Sequence, residues 1–269
     1  MATPEKFRVF LFDIDGTLLL GNIPIPGAPE FLDCLRKRKT PFYFLTNNST
    51  QNHQEIAERL SKAGIDAKPE EIVSSSDPVP KHFRAANKTG KAWKYFLIGR
   101  AMEIPGVIEY EKDPSKIMEC DGVLHNGGKY DWLVIMTAIL NFFLRYPEKP
   151  FLVANPDILN PVKDGVTIAS SGQMELITTL LAKRGIRKER ISFGKPQPPI
   201  YGEVLDRVGG IVERPDQIVG VGDWLNSDIF GANRAGMSSC LVLTGLSTEK
   251  DIPGTDQMYH PDYIVSRLS

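Results

Sequence analysis

Short apolar runs that alternate with amphipathic segments constrain this chain more than any other feature, because strands covered on both faces and joined by helices imply a parallel sheet. Phe7–Phe12, Phe42–Leu45, Ile218–Val221 and Cys240–Leu243 are near-continuous apolar runs. Between and around them, Glu30–Arg38, Gln54–Ala63, Pro198–Val208 and Ile229–Ala235 carry apolar residues at mixed spacings of three and four, with charges between. Ala63-Gly64 and Ala235-Gly236 read as helix stops. The predicted fold class is α/β, with a doubly wound parallel-sheet core.

Each apolar run gives way to polar residues in a patterned manner. Asp13-Ile14-Asp15-Gly16-Thr17 succeeds the first, Thr46-Asn47-Asn48-Ser49 the second and Gly222-Asp223 the third. In an open parallel sheet all of these emerge at the carboxyl edge, where ligands bind. Phe193-Gly194-Lys195-Pro196 joins them after the short apolar run around Ile191. Two carboxylates one residue apart at the end of a buried strand are costly unless a cation or a chemical task uses them. Taken singly, these stretches also fit ordinary turns and helix caps: Thr46–Ser49 suits a cap for the next helix, and Asp223 a turn.

Composition narrows the function classes. At 269 residues the chain is long enough for roughly two domains. A formal net charge of -1 offers no general attraction to a nucleic-acid polymer or an anionic membrane. No stretch approaches the length of a membrane span, and Met1–Lys6 lacks the order of a secretion signal, so a cytoplasmic location is expected. Cys34, Cys120 and Cys240 are widely spaced and suggest neither disulfides nor a zinc site. His53, His82, His125 and His260 show no metal-ligand spacing, which leaves oxygen ligands for any metal.

The four stretches Asp13-Ile14-Asp15-Gly16-Thr17, Thr46-Asn47-Asn48, Gly194-Lys195-Pro196 and Gly222-Asp223 with Ser227-Asp228 resemble, in order and spacing, the motifs of haloacid dehalogenase (HAD)-type phosphatases. The Gly-Lys-Pro-x-Pro-Pro and Gly-Asp-x-x-x-Ser-Asp-Ile forms are similar to the type-IIA capped branch, which includes p-nitrophenyl, pyridoxal and phosphoglycolate phosphatases. The resemblance implies a Rossmann-like core and Mg²⁺-dependent hydrolysis of small organic phosphate monoesters through an aspartyl phosphate. It implies Asp13 as nucleophile, Asp15 as general acid and base, and Thr46 and Asn47 as phosphate-binding groups. Lys195 would offset charge on nucleophile and phosphate, with Mg²⁺ held by Asp13, the backbone carbonyl of Asp15, and Asp223. Asp228 would orient a metal-bound water or pair with Lys195.

The hundred or so residues between the second and third motifs are too long for a loop and contain their own strands and helices. Tyr95–Ile98, Gly122–Leu124 and Phe151–Ala154 read as strands, and Met136–Leu144 as a helix. The expected division is a core of 1–79 and 191–269, with 80–190 an inserted α/β cap. Asn155-Pro156-Asp157 is similar to a motif of the branch's cap, so Asn155 and Asp157 are candidate substrate contacts, with a structural turn weighed equally. Tyr130, Asp131 and Trp132 come after a Gly-rich connection from which an aromatic could reach substrate or pack at the cap interface. Trp224 departs from the polar or small residue usual after the metal-binding aspartate. The branch often dimerises through its cap, so a homodimer is expected. Phosphoryl transfer to a second substrate hydroxyl, and a phospho-aspartate signalling module, are the alternatives; Asp15 argues against the module because it hastens breakdown of the acyl phosphate. The physiological substrate is not legible.

Overall fold

The computed structural model describes residues 7–162 and 165–269; Met1–Lys6, the stretch that bears on a secretion signal, lie outside them. In chain order the elements are β1 (Val9–Phe12), the small hairpin β2 (Leu19–Leu20) and β3 (Ile23–Pro24), α1 (Ala28–Lys37), β4 (Phe42–Thr46), α2 (His53–Lys62), β5 (Ile72–Ser74) and α3 (Pro78–Ala86). Next come β6 (Trp93–Gly99), β7 (Ile108–Glu111), β8 (Gly122–Asn126), α4 (Trp132–Arg145), β9 (Phe151–Val153), the hairpin β10 (Leu159–Val162) and β11 (Gly165–Ile168), α5 (Ser170–Lys183) and β12 (Ile191–Ser192). The chain ends with α6 (Pro198–Val208), β13 (Ile218–Gly222), α7 (Phe230–Arg234), β14 (Ser238–Val242) and β15 (Tyr263–Val265).

Six strands form one sheet in the order β15-β14-β13-β1-β4-β5, every neighbouring pair parallel. The order reverses at β1, which lies between β13 and β4, so a crevice opens beyond the carboxyl ends of those three strands. Alternation along Val9-Phe10-Leu11-Phe12 explains why this run is apolar throughout. Phe10 and Phe12 pack with Leu32, Ile56 and Leu60 on one face, while Val9 and Leu11 pack with Ile200, Val204 and Ala232 on the other.

A second, five-stranded parallel sheet has the order β12-β9-β8-β6-β7. Helices cover this one on both faces too: Met136, Ile139 and Phe143 of α4 with Ile177 and Leu181 of α5 on one, and Val79 and Phe83 of α3 on the other. Pairing of Ile191–Ser192 with Leu152–Val153 carries this sheet through residue 192, and the chain re-enters the first sheet's neighbourhood at Gly194. Among the described residues no helix is long and apolar enough to cross a membrane.

The helix expected at Met136–Leu144 extends to Trp132–Arg145, because Asp131 accepts a bond from the Val134 amide and caps it. The strand expected at Cys240–Leu243 begins at Ser238; two buried serines hide its start.

Candidate active site

The motif at each carboxyl end contributes to one cavity of about 310 Å³, lined by Asp13, Asp15, Thr46, Asn47, Asn155, Asp157, Lys195, Asp223 and Asp228 among others. All the side chains singled out from the sequence for phosphoryl chemistry therefore meet. Lys195 Nζ donates to Asp13 Oδ1 and to Asp228 Oδ1, both at 2.6 Å, across sequence separations of 182 and 33 residues. Asp228 Oδ2 accepts from the Trp224 amide at 3.0 Å. Asp223 accepts from the Leu246 amide at 2.7 Å and from Thr17 Oγ1 at 3.4 Å.

Glycines allow these side chains to approach foreign backbone. Gly16 has φ +102°, and a Cβ there would lie 2.5 Å from Asp223 Oδ2. A Cβ on Gly222 would collide with the side chain of Asp228, and one on Gly194 with Asn47 Oδ1. The glycine of one motif thus makes room for a functional side chain.

Asn47 ties the elements together. Its Oδ1 accepts from the Lys195 amide at 2.7 Å, and its Nδ2 donates to the Lys195 carbonyl at 3.0 Å and to Asp157 Oδ1 at 2.7 Å. The side-chain amide is therefore committed to holding Lys195 and Asp157 in place. Helix α2 is capped elsewhere: Asn52 Oδ1 accepts from the Glu55 amide at 2.7 Å and Glu55 Oε2 from the Asn52 amide at 2.8 Å. Thr46–Ser49 is thereby free of the capping duty that its composition also suits. Asp157 N–H donates to Asn155 Oδ1 at 2.8 Å, so Asn155 forms a turn while both residues line the cavity.

Burial dominates the electrostatics. It raises the Asp13 carboxyl well above its ordinary range, a shift that Lys195 opposes and Asp228, Asp223 and Asp15 reinforce. Asp223 is pushed up to about 7 by burial and by Asp228. Asp157 is pushed to about 7 by burial, against the lowering effect of Lys195 and Asn47. For Lys195, burial favours the neutral amine, but Asp13 and Asp228 outweigh it and raise the group.

The donor set suits a hard divalent cation. Carboxylate oxygens of Asp13, Asp223 and Asp228 lie within 4.8 Å of one another, all three buried. Against them stands the ammonium of Lys195, leaving two formal negative charges when the carboxylates are ionised. Oxygen-only ligands and that residual charge fit Mg²⁺ better than a thiophilic metal.

Among the cavity residues the sequence left unmarked, Arg59 contacts a catalytic candidate directly. Arg59, on α2, pairs with Asp15 through Nη2 to Oδ1 at 2.5 Å and also lines the cavity. On a helix it reads as one more charged surface position, and only the tertiary fold brings it to Asp15. Conversely, Tyr130, Asp131 and Trp132 are absent from the cavity lining. Tyr130 bonds to Gln173 and His125, Asp131 caps α4, and Trp132 is 53% exposed. Trp224 does line the cavity.

A family model described as haloacid dehalogenase-like hydrolase matches residues 10–103, and a HAD-hydrolase-like model matches residues 192–269. An acid sugar phosphatase of Staphylococcus aureus is 28% identical over 257 residues, covering 92% of this chain and 91% of that protein. The 4-nitrophenylphosphatase structure from Thermotoga maritima is 27% identical with a TM-score of 0.77, covering 98% of this chain and 96% of its own. The glycerol phosphate phosphatase structure from Mycobacterium tuberculosis, in complex with magnesium, is 25% identical with a TM-score of 0.75, covering 97% and 76%.

Proposed function

This chain belongs to the haloacid dehalogenase-like hydrolases, in their type-IIA branch, and is a phosphatase; from that premise we propose that it hydrolyses small organic phosphate monoesters through an aspartyl phosphate on Asp13, with Mg²⁺. The observation that carries the proposal is the meeting of Asp13, Lys195 and Asp228 at 2.6 Å contacts beside Asp223 and Thr46.

In the first step an Asp13 carboxylate oxygen attacks phosphorus, the bond from phosphorus to the ester oxygen breaks, and Asp15 delivers a proton to that oxygen. In the second, Asp15 takes a proton from water as its oxygen attacks phosphorus, and the bond to Asp13 breaks to release orthophosphate. Lys195 offsets the charge on Asp13 and on the phosphoryl oxygens. Thr46 Oγ1, which accepts from the Asn48 amide at 3.1 Å, keeps its own proton for a phosphoryl oxygen. Asn47 contributes through its position at the end of β4, and its side chain fixes Lys195 and Asp157. Mg²⁺ would be held by Asp13, Asp223 and the backbone carbonyl of Asp15, with Asp228 alongside, and would supply Lewis-acid charge stabilisation.

In this reading the second sheet and its helices, expected over 80–190 and carried by β12 to residue 192, form a cap over the crevice of a core made by the two ends of the chain, excluding water during transfer. Asn155 and Asp157, at the end of β9, bring the cap to the substrate. A cytoplasmic enzyme, dimeric through that cap and without nucleic-acid or membrane partners, completes it. The sugar and glycerol phosphate relatives favour a small polyol phosphate as substrate.

The test is a panel of sugar, glycerol, glycolate, pyridoxal and nucleotide monophosphates, assayed with Mg²⁺ and again with EDTA. Orthophosphate release equal to substrate loss, abolished by EDTA and restored by Mg²⁺, is expected. A phosphorylated isomer would instead indicate a mutase, and a long-lived phosphoprotein a signalling module.

A further inference from the structure

Arg59 is held at three places. Its Nη2 donates to Asp15 Oδ1 at 2.5 Å and to the Gly21 carbonyl at 2.6 Å, Nη1 to Asp15 Oδ2 at 3.4 Å, and Nε to Asn22 Oδ1 at 3.2 Å. Gly21 and Asn22 form the turn of the β2–β3 hairpin just after the Asp13 motif. A guanidinium is a rigid planar fork, so fixing its far side on that turn dictates the plane of the carboxylate it grips. The grip is uneven. Oδ1 is bound closely and Oδ2 only loosely, in a carboxylate that is 34% exposed beside a guanidinium that is 17% exposed.

We infer that Arg59 is the positioning residue of Asp15, holding Oδ1 so that Oδ2 is presented to the leaving oxygen of a bound phosphate ester. The inference rests on the role of Asp15 proposed above and adds what aims it. When the bond from phosphorus to the ester oxygen breaks, its electron pair goes to that oxygen and the proton on Oδ2 moves with it. Oδ1 accepts from Arg59 throughout, because a carboxyl group carrying its proton on one oxygen still accepts through the other. Arg59 itself touches neither phosphorus nor leaving group.

Leaving groups separate this role from a structural one. p-Nitrophenolate departs as a stable anion, whereas an alkoxide needs a proton as it leaves. General acid help is typically worth about 10²–10⁴-fold. For Arg59→Lys and Arg59→Gln with Mg²⁺ present, kcat/KM for glycerol 3-phosphate is expected to fall by about 10²-fold, and that for p-nitrophenyl phosphate by less than about 5-fold. Asp15→Asn should show the same asymmetry, and adding Arg59→Gln to it should change kcat/KM little further. Equal losses on both esters overturn the inference in favour of a structural role, with Arg59→Lys serving if Arg59→Gln does not fold. A loss confined to esters bearing a second anionic group, with glycerol 3-phosphate and 3-phosphoglycerate compared, overturns it in favour of direct substrate binding. If the wild-type protein releases no orthophosphate from either ester, the phosphatase reading fails first; if it is active but Asp15→Asn shows no asymmetry, the assignment of Asp15 fails.

Discussion

The two parallel sheets have the same architecture, with helices on both faces and the strand order reversing at an interior strand, yet their carboxyl edges differ in kind. In the first sheet, β1, β4 and β13 run into Asp13, Thr46 and Asp223, and the charge there is concentrated and buried. In the second, β6, β8 and β9 run into Gly99-Arg100, Asn126-Gly127 and Ala154-Asn155, which are neutral or exposed. The Asn126 carbonyl accepts from Ser49 Oγ at 3.1 Å, and Arg100 Nη1 donates to Glu55 Oε2 of α2 at 2.6 Å, so the ends of β6 and β8 dock against the first sheet's loop and helix. A doubly wound sheet supplies a crevice, and the residues on its strand ends decide whether the crevice does chemistry.

The comparison breaks most decisively at Asp13. Asp13→Asn is expected to lower kcat by at least about 10³-fold, read as orthophosphate release, because no other carboxylate replaces a lost nucleophile. The substituted protein should stay folded, since an amide at a buried, charge-crowded place is easier to accommodate than a carboxylate whose ionisation burial already resists. Turnover that survives the substitution would remove the first sheet's claim to the chemistry.

Next is Lys195, whose ammonium is buried between Asp13 and Asp228. Lys195→Ala leaves two buried carboxylates without their cation. Its expected cost in the presence of EDTA is about 3 kcal/mol by urea denaturation, with a loss of about 10²-fold or more in kcat. Restoration of part of the stability by Mg²⁺ would sharpen the view that the cluster is built for cations.

The smallest effect belongs to the second sheet. Asp157→Asn should raise KM by about five-fold, the worth of one hydrogen bond, and leave kcat near its original value. The same substitution tests the electrostatics. A carboxyl pushed to about 7 binds its proton more tightly in the folded than in the unfolded chain. Its contribution to stability is present at low pH and lost as pH rises from about 4 to about 7. Thermal unfolding of metal-free protein should therefore move to lower temperature across that window, less steeply in Asp157→Asn. A kcat loss equal to that of Lys195→Ala would place Asp157 in the chemistry itself.

Much of the first sheet was readable because its strands are buried on both faces and are apolar throughout; α6 runs over Pro198–Val208, the range expected of it. The elements that escaped reading have physical reasons. β10 and β11 are half-exposed or exposed along their whole length, so no burial periodicity marks them. In α3, Pro78 and Pro80 occupy the first turn, where proline is tolerated but does not by itself distinguish a helix start from a turn. Edge strands β5 and β15 are only three residues long. Among site residues, those on strand ends announce themselves by interrupting an apolar run. Arg59 interrupts nothing, and its partner lies 44 residues away.

The route by which the polypeptide comes back from the second sheet has a practical consequence for anyone shortening it. β12 ends at Ser192, Phe193 is packed beside Phe83 and Leu152, and Lys195 comes two residues later. Excising the second sheet would unmoor the lysine's upstream tether, so a trimmed protein needs a replacement anchor there before its residual turnover means anything.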